Sequence, residues 1–293
     1  MLLVVGVVNA DTAIEDPGHK FGGEHTQEKL QALKDYLPAY TTALGKRFTL
    51  HYIDAFAGTG ECNITVGGRE LRVPGSASIA IDCKPPFHKM VFIEKVANRV
   101  RALKKLSQAA KHRDIVVVKD DANIAVPAHL AALRRSDRAV ILLDPYGMTV
   151  EWATLEKIAA SKLADVWYLF PLSGLYRQAA KDSRNIDAFK EASLTRIMGP
   201  HDWKKALYEP KPMDDLFGDN SDIRTADPRR MAEWVKECLQ IIFPGVHGPK
   251  TLYQTRKDGK QGPPLYALFF LVSNPKPAAL ALAMKFARAV LKL

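Results

Sequence analysis

Residues 49–60 read Thr-Leu-His-Tyr-Ile-Asp-Ala-Phe-Ala-Gly-Thr-Gly. The apolar run predicts a buried strand over Thr49 to Ala57 that feeds a glycine turn. Gly58 and Gly60 carry no Cβ, so the turn can tighten and its backbone can approach a ligand closely. A single GxG after a strand also arises for structural reasons. Its meaning depends on the residues farther along the chain.

Ser76 to Cys83 reads as the helix after this turn, and Met90 to Glu94 as a second strand followed by a helix through Leu103 and Leu106. Ile115 to Val118 is a β-branched third strand ending at Asp120-Asp121, and a helix around Leu130 and Leu133 leads to a fourth, Ala139 to Leu143. A helix from Trp152 to Leu163 precedes the fifth, Val166 to Phe170. Strands alternating with helices predict right-handed βαβ units and a parallel sheet. On the amino-terminal side, Leu30, Leu33 and Leu37 mark a helical face starting at Thr26 as N-cap and ending near Pro38.

The rhythm breaks after Tyr176. Residues 176–243 are rich in charge and proline, with Asp227 and Pro228 placed as N-cap and first helical residue. The expected organisation is an amino-terminal helix and Rossmann-like core over residues 1–175, a helical insertion over 176–243, and a terminal β-hairpin and helix over 244–293. In the hairpin, Thr251 to Arg256 reads as an edge strand, Asp258-Gly259 as a turn and Leu265 to Val272 as a buried strand.

In an open α/β sheet, ligands sit at the carboxyl ends of the strands, where the strand order reverses. Three acids stand at three successive strand ends. Asp54 opens the turn Asp54-Ala55-Phe56-Ala57-Gly58-Thr59-Gly60, Glu94 follows the second strand, and Asp121-Ala122 follows the third. Glu94 can accept both hydrogen bonds of a ribose diol, and Asp121 can accept from an adenine amino group. A GxxxxGK[ST] phosphate loop is lacking, which argues against P-loop phosphoryl transfer.

The fourth strand ends in Asp144-Pro145-Tyr146-Gly147. An amine conjugated to a heteroaromatic ring is a poor nucleophile, so a site that alkylates it must accept its N–H bonds and hold nitrogen in line with the incoming carbon. Asp144 and the Pro145 carbonyl supply acceptors, and Tyr146 offers a ring for stacking. Gly75-Ser76 could present amides and a hydroxyl or simply cap a helix, and Arg177 could meet a phosphate or carboxylate.

These features together resemble the class I methyltransferases, with the Gly58 turn, Glu94 and Asp121-Ala122-Asn123 in the places of their cofactor motifs. The resemblance implies S-adenosylmethionine as cofactor, bound by Asp54, Phe56, Ala57, Gly58, Gly60, Glu94, Asp121 and Ala122, and a seven-stranded sheet closed by a terminal hairpin. Asp144-Pro145-Tyr146 is similar to the (D/N/S)PP(Y/F) motif of amino-methyltransferases, with one proline where that motif has two. It is also similar to the Asp-Pro-Phe-Gly of tRNA guanine-N2 dimethyltransferases. The whole-chain pattern looks closest to the three-Cys-motif partner proteins, a bacterial family with a methyltransferase-like domain. The segments that carry this likeness are KLQALKDYLPAY from Lys29, YIDAFAGTG, PGSASIAI, FIEK, LLDPYGM and, more faintly, LYALFFLVS. It implies a protein partner carrying a three-Cys motif.

Composition sets the outer bounds. With 293 residues, 47% of them hydrophobic, the chain can bury a full core. Forty-two Lys and Arg against 32 Asp and Glu leave a formal charge of +10, compatible with a nucleic-acid or nucleotide-like substrate. The basic clusters, such as Lys104-Lys105 and Arg229-Arg230, are dispersed rather than gathered in one run. Cys62, Cys83 and Cys238 stand far apart without a ligand spacing, so neither a disulfide framework nor a metal is expected. The apolar start Leu2 to Val8 has no basic segment before it, and no run approaches the ~20 apolar residues of a membrane span. A cytoplasmic enzyme that methylates an amino group is the leading expectation. The alternatives are a cofactor-binding interaction module and a small-molecule O- or C-methyltransferase.

Overall fold

The structure, a computed structural model, describes residues 24–66, 69–211, 221–256 and 260–291. Leu2 to Val8 and the turn Asp258-Gly259 lie outside the described residues. In chain order the elements begin with α1 (Glu24–Leu44), β1 (Thr49–Asp54), β2 (Glu61–Val66), β3 (Arg69–Pro74), α2 (Ser76–Asp82), β4 (Lys89–Ile93) and α3 (Ala97–Ala109). They continue with β5 (Ile115–Val118), α4 (Ala122–Ala131), β6 (Asp137–Leu143), α5 (Trp152–Ser161), β7 (Ala164–Phe170) and α6 (Leu172–Gln178). After a 3-10 turn at Ser183–Asn185 come α7 (Ala188–Met198), α8 (Trp203–Leu207), β8 (Tyr208–Pro210), β9 (Asp222–Arg224) and α9 (Pro228–Ile242). The chain closes with β10 (Gly245–Thr255), β11 (Gln261–Val272) and α10 (Pro277–Leu291).

Seven strands form one sheet in the order β10-β11-β7-β6-β1-β4-β5. Strands β7, β6, β1, β4 and β5 run parallel, whereas β11 runs antiparallel to both β7 and β10. This is the Rossmann-like α/β arrangement of class I methyltransferases, with its reversed strand next to last. The order reverses between β1 and β6, whose ends carry Asp54 and the Asp144 turn.

Successive residues of each central strand face opposite layers, as the strand pleat requires. Ile53, Val91, Ile141, Val166 and Phe269 pack into one apolar layer, and Tyr52, Phe92, Val140, Trp167 and Phe270 into the other. Burial on both faces explains why these strands read as continuous apolar runs. Residues from the 176–243 stretch, including Leu194, Trp203, Met231, Leu239 and Phe243, join the first layer. Asp227 caps α9 there, accepting from the Arg230 amide at 2.7 Å.

Two local expectations are corrected. The first helix does not stop near Pro38, which lies inside α1. Proline deprives the Lys34 carbonyl of its usual donor, but continuing the helix buries Tyr40 and Thr41, and Tyr40 stacks on Phe87 at 6.2 Å between centroids. The Thr41 hydroxyl also donates to the Pro38 carbonyl at 3.2 Å. Thr26 is not the N-cap either, since α1 already begins at Glu24 and Thr26 is buried within it. The β2–β3 hairpin and the small β8–β9 pair were not anticipated. The former had a signal in Gly67-Gly68 between two strand-like runs.

Helix α1 is tied to the sheet where the Tyr36 hydroxyl donates to Asp165 Oδ2 at 2.8 Å. Burial pushes the Asp165 carboxyl up to about 7, against the opposing pull of the Tyr36 bond and Arg138. A carboxyl whose folded value exceeds its unfolded one takes up a proton on folding. Its stabilising contribution is complete below the unfolded value and is lost as pH rises through the folded one, between about pH 4 and 7. Asp165→Asn keeps an acceptor for Tyr36 and removes this loss. Its melting temperature should exceed the parent's by about 3 °C or more near pH 7.5 and by distinctly less near pH 5. Calorimetry at the two pH values checks this, and a difference that does not grow with pH contradicts the assignment.

Candidate active site

A cleft of about 190 Å³ opens at the carboxyl ends of β1 and β6. Phe56, Ala57 and Gly58 from the turn after β1 line it together with Asp144, Pro145 and Tyr146 from the turn after β6. Two segments remote in sequence thus share one wall because β1 and β6 are paired neighbours, with Asp54 opposite Leu142. A larger cavity of about 490 Å³ lies between α1, β10 and the end of α10, but none of the strand-end acids lines it.

The glycine turn is built around two left-handed residues. Gly58 has φ 61° and Gly60 φ 87°, a region that side chains with a Cβ enter only at a cost. A Cβ at Gly60 would meet Leu106 Cδ2 at 2.5 Å, whereas one at Gly58 would stand 3.6 Å from the Tyr146 hydroxyl, inside the cleft. The Gly60 carbonyl is held by the Ser78 hydroxyl at 2.6 Å and the Gly75 amide at 2.9 Å. Gly75, not Ser76, caps α2, and Ser76 lines the cleft.

Asp54, Gly60, Glu94, Asp121 and Ala122 do not line this cleft; they brace it and continue the row of strand ends. Asp54 is fully buried and accepts from the Phe56 amide at 3.3 Å and the Tyr52 hydroxyl at 3.4 Å. Burial pushes its carboxyl up to about 6 against the Ser76 and Phe56 hydrogen bonds, and Asp144 pushes it the same way. Glu94 is buried and accepts from the Gly58 amide at 3.1 Å on Oε2 and the Val96 amide at 2.9 Å on Oε1. Each oxygen retains a second lone pair.

Asp121 caps α4 by accepting from the Asn123 amide at 2.9 Å and pairs with Lys95 at 3.0 Å. The cap bond, outweighing partial burial, and Lys95 hold this carboxyl below the usual range. Ala122 is buried at the first turn of α4. Asn123 then links this loop to the segment after β6, donating to the Thr149 carbonyl at 2.9 Å and accepting from the Glu151 amide at 3.0 Å. Such bonds fix the β5 and β6 ends relative to one another.

Tyr146 is 45% exposed, with the Arg99 guanidinium 4.7 Å from its ring centroid. The Pro145 carbonyl accepts from the Gly147 amide at 3.1 Å, which shapes the turn and leaves one lone pair. Lys29 of α1 forms an ion pair with Asp144 Oδ2. Lys29, Thr26, Cys62, Arg99 and Tyr266 also line the cleft, and sequence reasoning assigned a site role to none of them. Tyr266 sits on β11 next to Ala267, the partner of Phe170 at the end of β7. Its place in the strand's alternation offered a weak signal, but Lys29 offered none, because a polar residue next to Leu30 reads as solvated.

The cleft contains a carboxylate, a carbonyl and an aromatic ring beside an open glycine backbone. Such groups can accept hydrogen bonds from an amine, stack on a planar ring and admit a ligand close to main chain. Among the described residues no group of three or more His, Cys, Asp and Glu is placed to hold a metal, and no helix is long and apolar enough to cross a membrane.

No protein-family model and no curated protein matches the sequence. Solved structures similar in chain path include protein LPL1258 from Legionella pneumophila, at 12% identity and TM-score 0.45 over 92% of this chain and 93% of that one. The putative methyltransferase yhhF from Escherichia coli is similar at 13% identity and TM-score 0.32, over 48% and 69% of the two chains. The bifunctional kinase-methyltransferase WbdD is similar at 13% identity and TM-score 0.39, over 84% of this chain and 39% of that one. Likeness at this level concerns chain path and carries nothing about substrate.

The two glycines yield opposite expectations. Gly60→Ala should cost stability, on the order of 1–3 kcal/mol, because the left-handed strain adds to the Leu106 overlap. Gly58→Ala should cost only about 1 kcal/mol of stability, yet weaken by tenfold or more the binding of any ligand that lies against this turn, because its methyl enters the cleft. Urea unfolding and calorimetry measure the two effects separately. Equal behaviour of the two variants would contradict this division of roles.

Proposed function

We propose that the protein is an S-adenosylmethionine-dependent methyltransferase that acts on an amino group of a nucleobase, in nucleic acid or in a nucleotide-like molecule. The observation that carries the reading is the meeting of the Gly58 turn with Asp144-Pro145-Tyr146 in one cleft where the strand order reverses. Ligands of open α/β sheets sit at such a reversal.

The residues fit the cofactor. Gly58 leaves open the space that a Cβ would take beside Tyr146, and Glu94, at the next strand end, has lone pairs left for a ribose diol. Asp121 stands at the third strand end for an adenine amine. When bound, S-adenosylmethionine supplies an electrophilic methyl group. The chain's own part is positional: Asp144 and the Pro145 carbonyl accept the N–H bonds of the amine, and Tyr146 holds its ring. Asp144 need not be a strong base, since a methylated ammonium conjugated to a ring loses its proton readily.

One observation favours a second reading. Lys29 engages one oxygen of Asp144, a contact that a cofactor-binding module without turnover would also tolerate. The likeness to three-Cys-motif partner proteins extends that reading to a protein partner carrying such a motif.

Calorimetry should detect S-adenosylmethionine binding, weakened in Glu94→Ala by roughly 1–3 kcal/mol. Labelled cofactor incubated with fractionated cellular RNA, DNA and metabolites identifies the acceptor. With that acceptor, Asp144→Ala should collapse kcat at nearly intact cofactor affinity, and Tyr146→Phe should be mild. Tyr146→Ala should lose about 1–3 kcal/mol of base stacking. Full kcat in Asp144→Ala would refute the proposed chemistry, and absence of any acceptor alongside firm cofactor binding would favour the module.

A further inference from the structure

Lys29 belongs to a helix that precedes the first strand of the sheet, yet its ammonium reaches the end of the fourth parallel strand, 115 positions away. We infer that Lys29 is a positioning residue for Asp144: the ion pair on Oδ2 fixes the carboxylate in place and leaves Oδ1 as the acceptor offered to the cleft. The inference rests on the methyl-transfer reading of this cleft.

The geometry supports it in three ways. Lys29 is the sole hydrogen-bond partner of the Asp144 carboxylate among the described residues, and it uses one oxygen only. Both side chains are largely buried, with 18% and 24% of their surfaces exposed, so water screens the pair weakly. Asp54 ends the neighbouring strand, paired in register with β6, so Lys29 brings a positive charge to a place where two carboxylates stand at adjacent strand ends.

The groups around Lys29 act in the same sense. Burial lowers its affinity for a proton, but Asp144 more than offsets this, with smaller help from Cys62 and Tyr266, and the net value is raised. Glu61, Tyr146 and Arg99 are the other charged or titratable groups lining the cleft. Lys29 therefore remains an ammonium, without a lone pair to compete as a nucleophile.

The test is carbon NMR of protein labelled at aspartate Cγ, with the Asp144 signal identified by its loss in Asp144→Asn. In Lys29→Met, the Asp144 signal should move from its parent position and broaden, because the carboxylate loses the partner that fixes it. Lys29→Arg should restore the parent signal. A Lys29→Met signal with the parent's position and width would overturn the inference and leave Lys29 as an anchor for α1. Should the methionine variant fail to fold, Lys29→Gln gives the same comparison. The reciprocal measurement uses lysine labelled at Cε, where Asp144→Asn must lower the Lys29 midpoint; no change there would also overturn it. Cofactor calorimetry on the same samples separates the outcomes, since loss of S-adenosylmethionine binding in the parent protein refutes the functional reading and leaves the ion pair untouched.

Discussion

Two carboxylates, Asp54 and Asp144, terminate adjacent parallel strands, and the surrounding structure is arranged to tolerate their proximity. Neither can be moved apart, because the pairing of β1 with β6 fixes the spacing of their ends. The two are answered differently. Asp54 is sealed under the glycine turn and satisfied by neutral donors, the Tyr52 hydroxyl and Phe56 amide, so burial leaves it with a raised proton affinity. Asp144 faces the cleft and receives a full positive charge from Lys29. One acid thereby braces the turn while the other stays available to a ligand, a division set by environment rather than by residue type.

This requirement explains why α1 is held so firmly. A cation delivered from outside the βαβ core is useful only if its helix cannot drift, and α1 is fixed along its length. Leu33, Tyr36 and Leu37 are buried against the sheet, Tyr36 bonds Asp165, and Tyr36 packs edge-on to Trp167 at 5.3 Å. Burial of Tyr40 carries the helix through Pro38, so this packing outweighs the loss of one backbone hydrogen bond, which contributes about 1 kcal/mol net. The continuity of the helix and the charge at the strand end therefore belong to one design.

Much of this was legible in the sequence, and the limits have physical causes. The five parallel strands and β11 lie between two apolar layers, so each shows as an apolar run bounded by turn residues. Strand-end acids follow from those boundaries, and the cleft assembled by Gly58 and Asp144-Pro145-Tyr146 follows from the strand order. At Pro38 a local rule about backbone donors is overridden by tertiary burial. The β2–β3 hairpin is harder to see although Gly67-Gly68 marks it, because its strands alternate polar and apolar residues and lack the continuous apolar run of the central sheet. Lys29 could not be found at all: its role depends on a contact 115 positions away, and a lysine beside an apolar stripe has the same appearance whether it meets water or a buried acid.

The Glu94 carboxylate adds a last step. Its two oxygens accept from the Gly58 and Val96 amides, so the acid at the second strand end also fixes the left-handed residue of the first turn. A ribose held by the remaining lone pairs would displace neither bond, because each carboxylate oxygen has a second acceptor site. The position of the Glu94 carboxylate and the conformation at Gly58 are then coupled through one side chain. The acid at the second strand end thus braces the turn that brings Gly58 beside Tyr146.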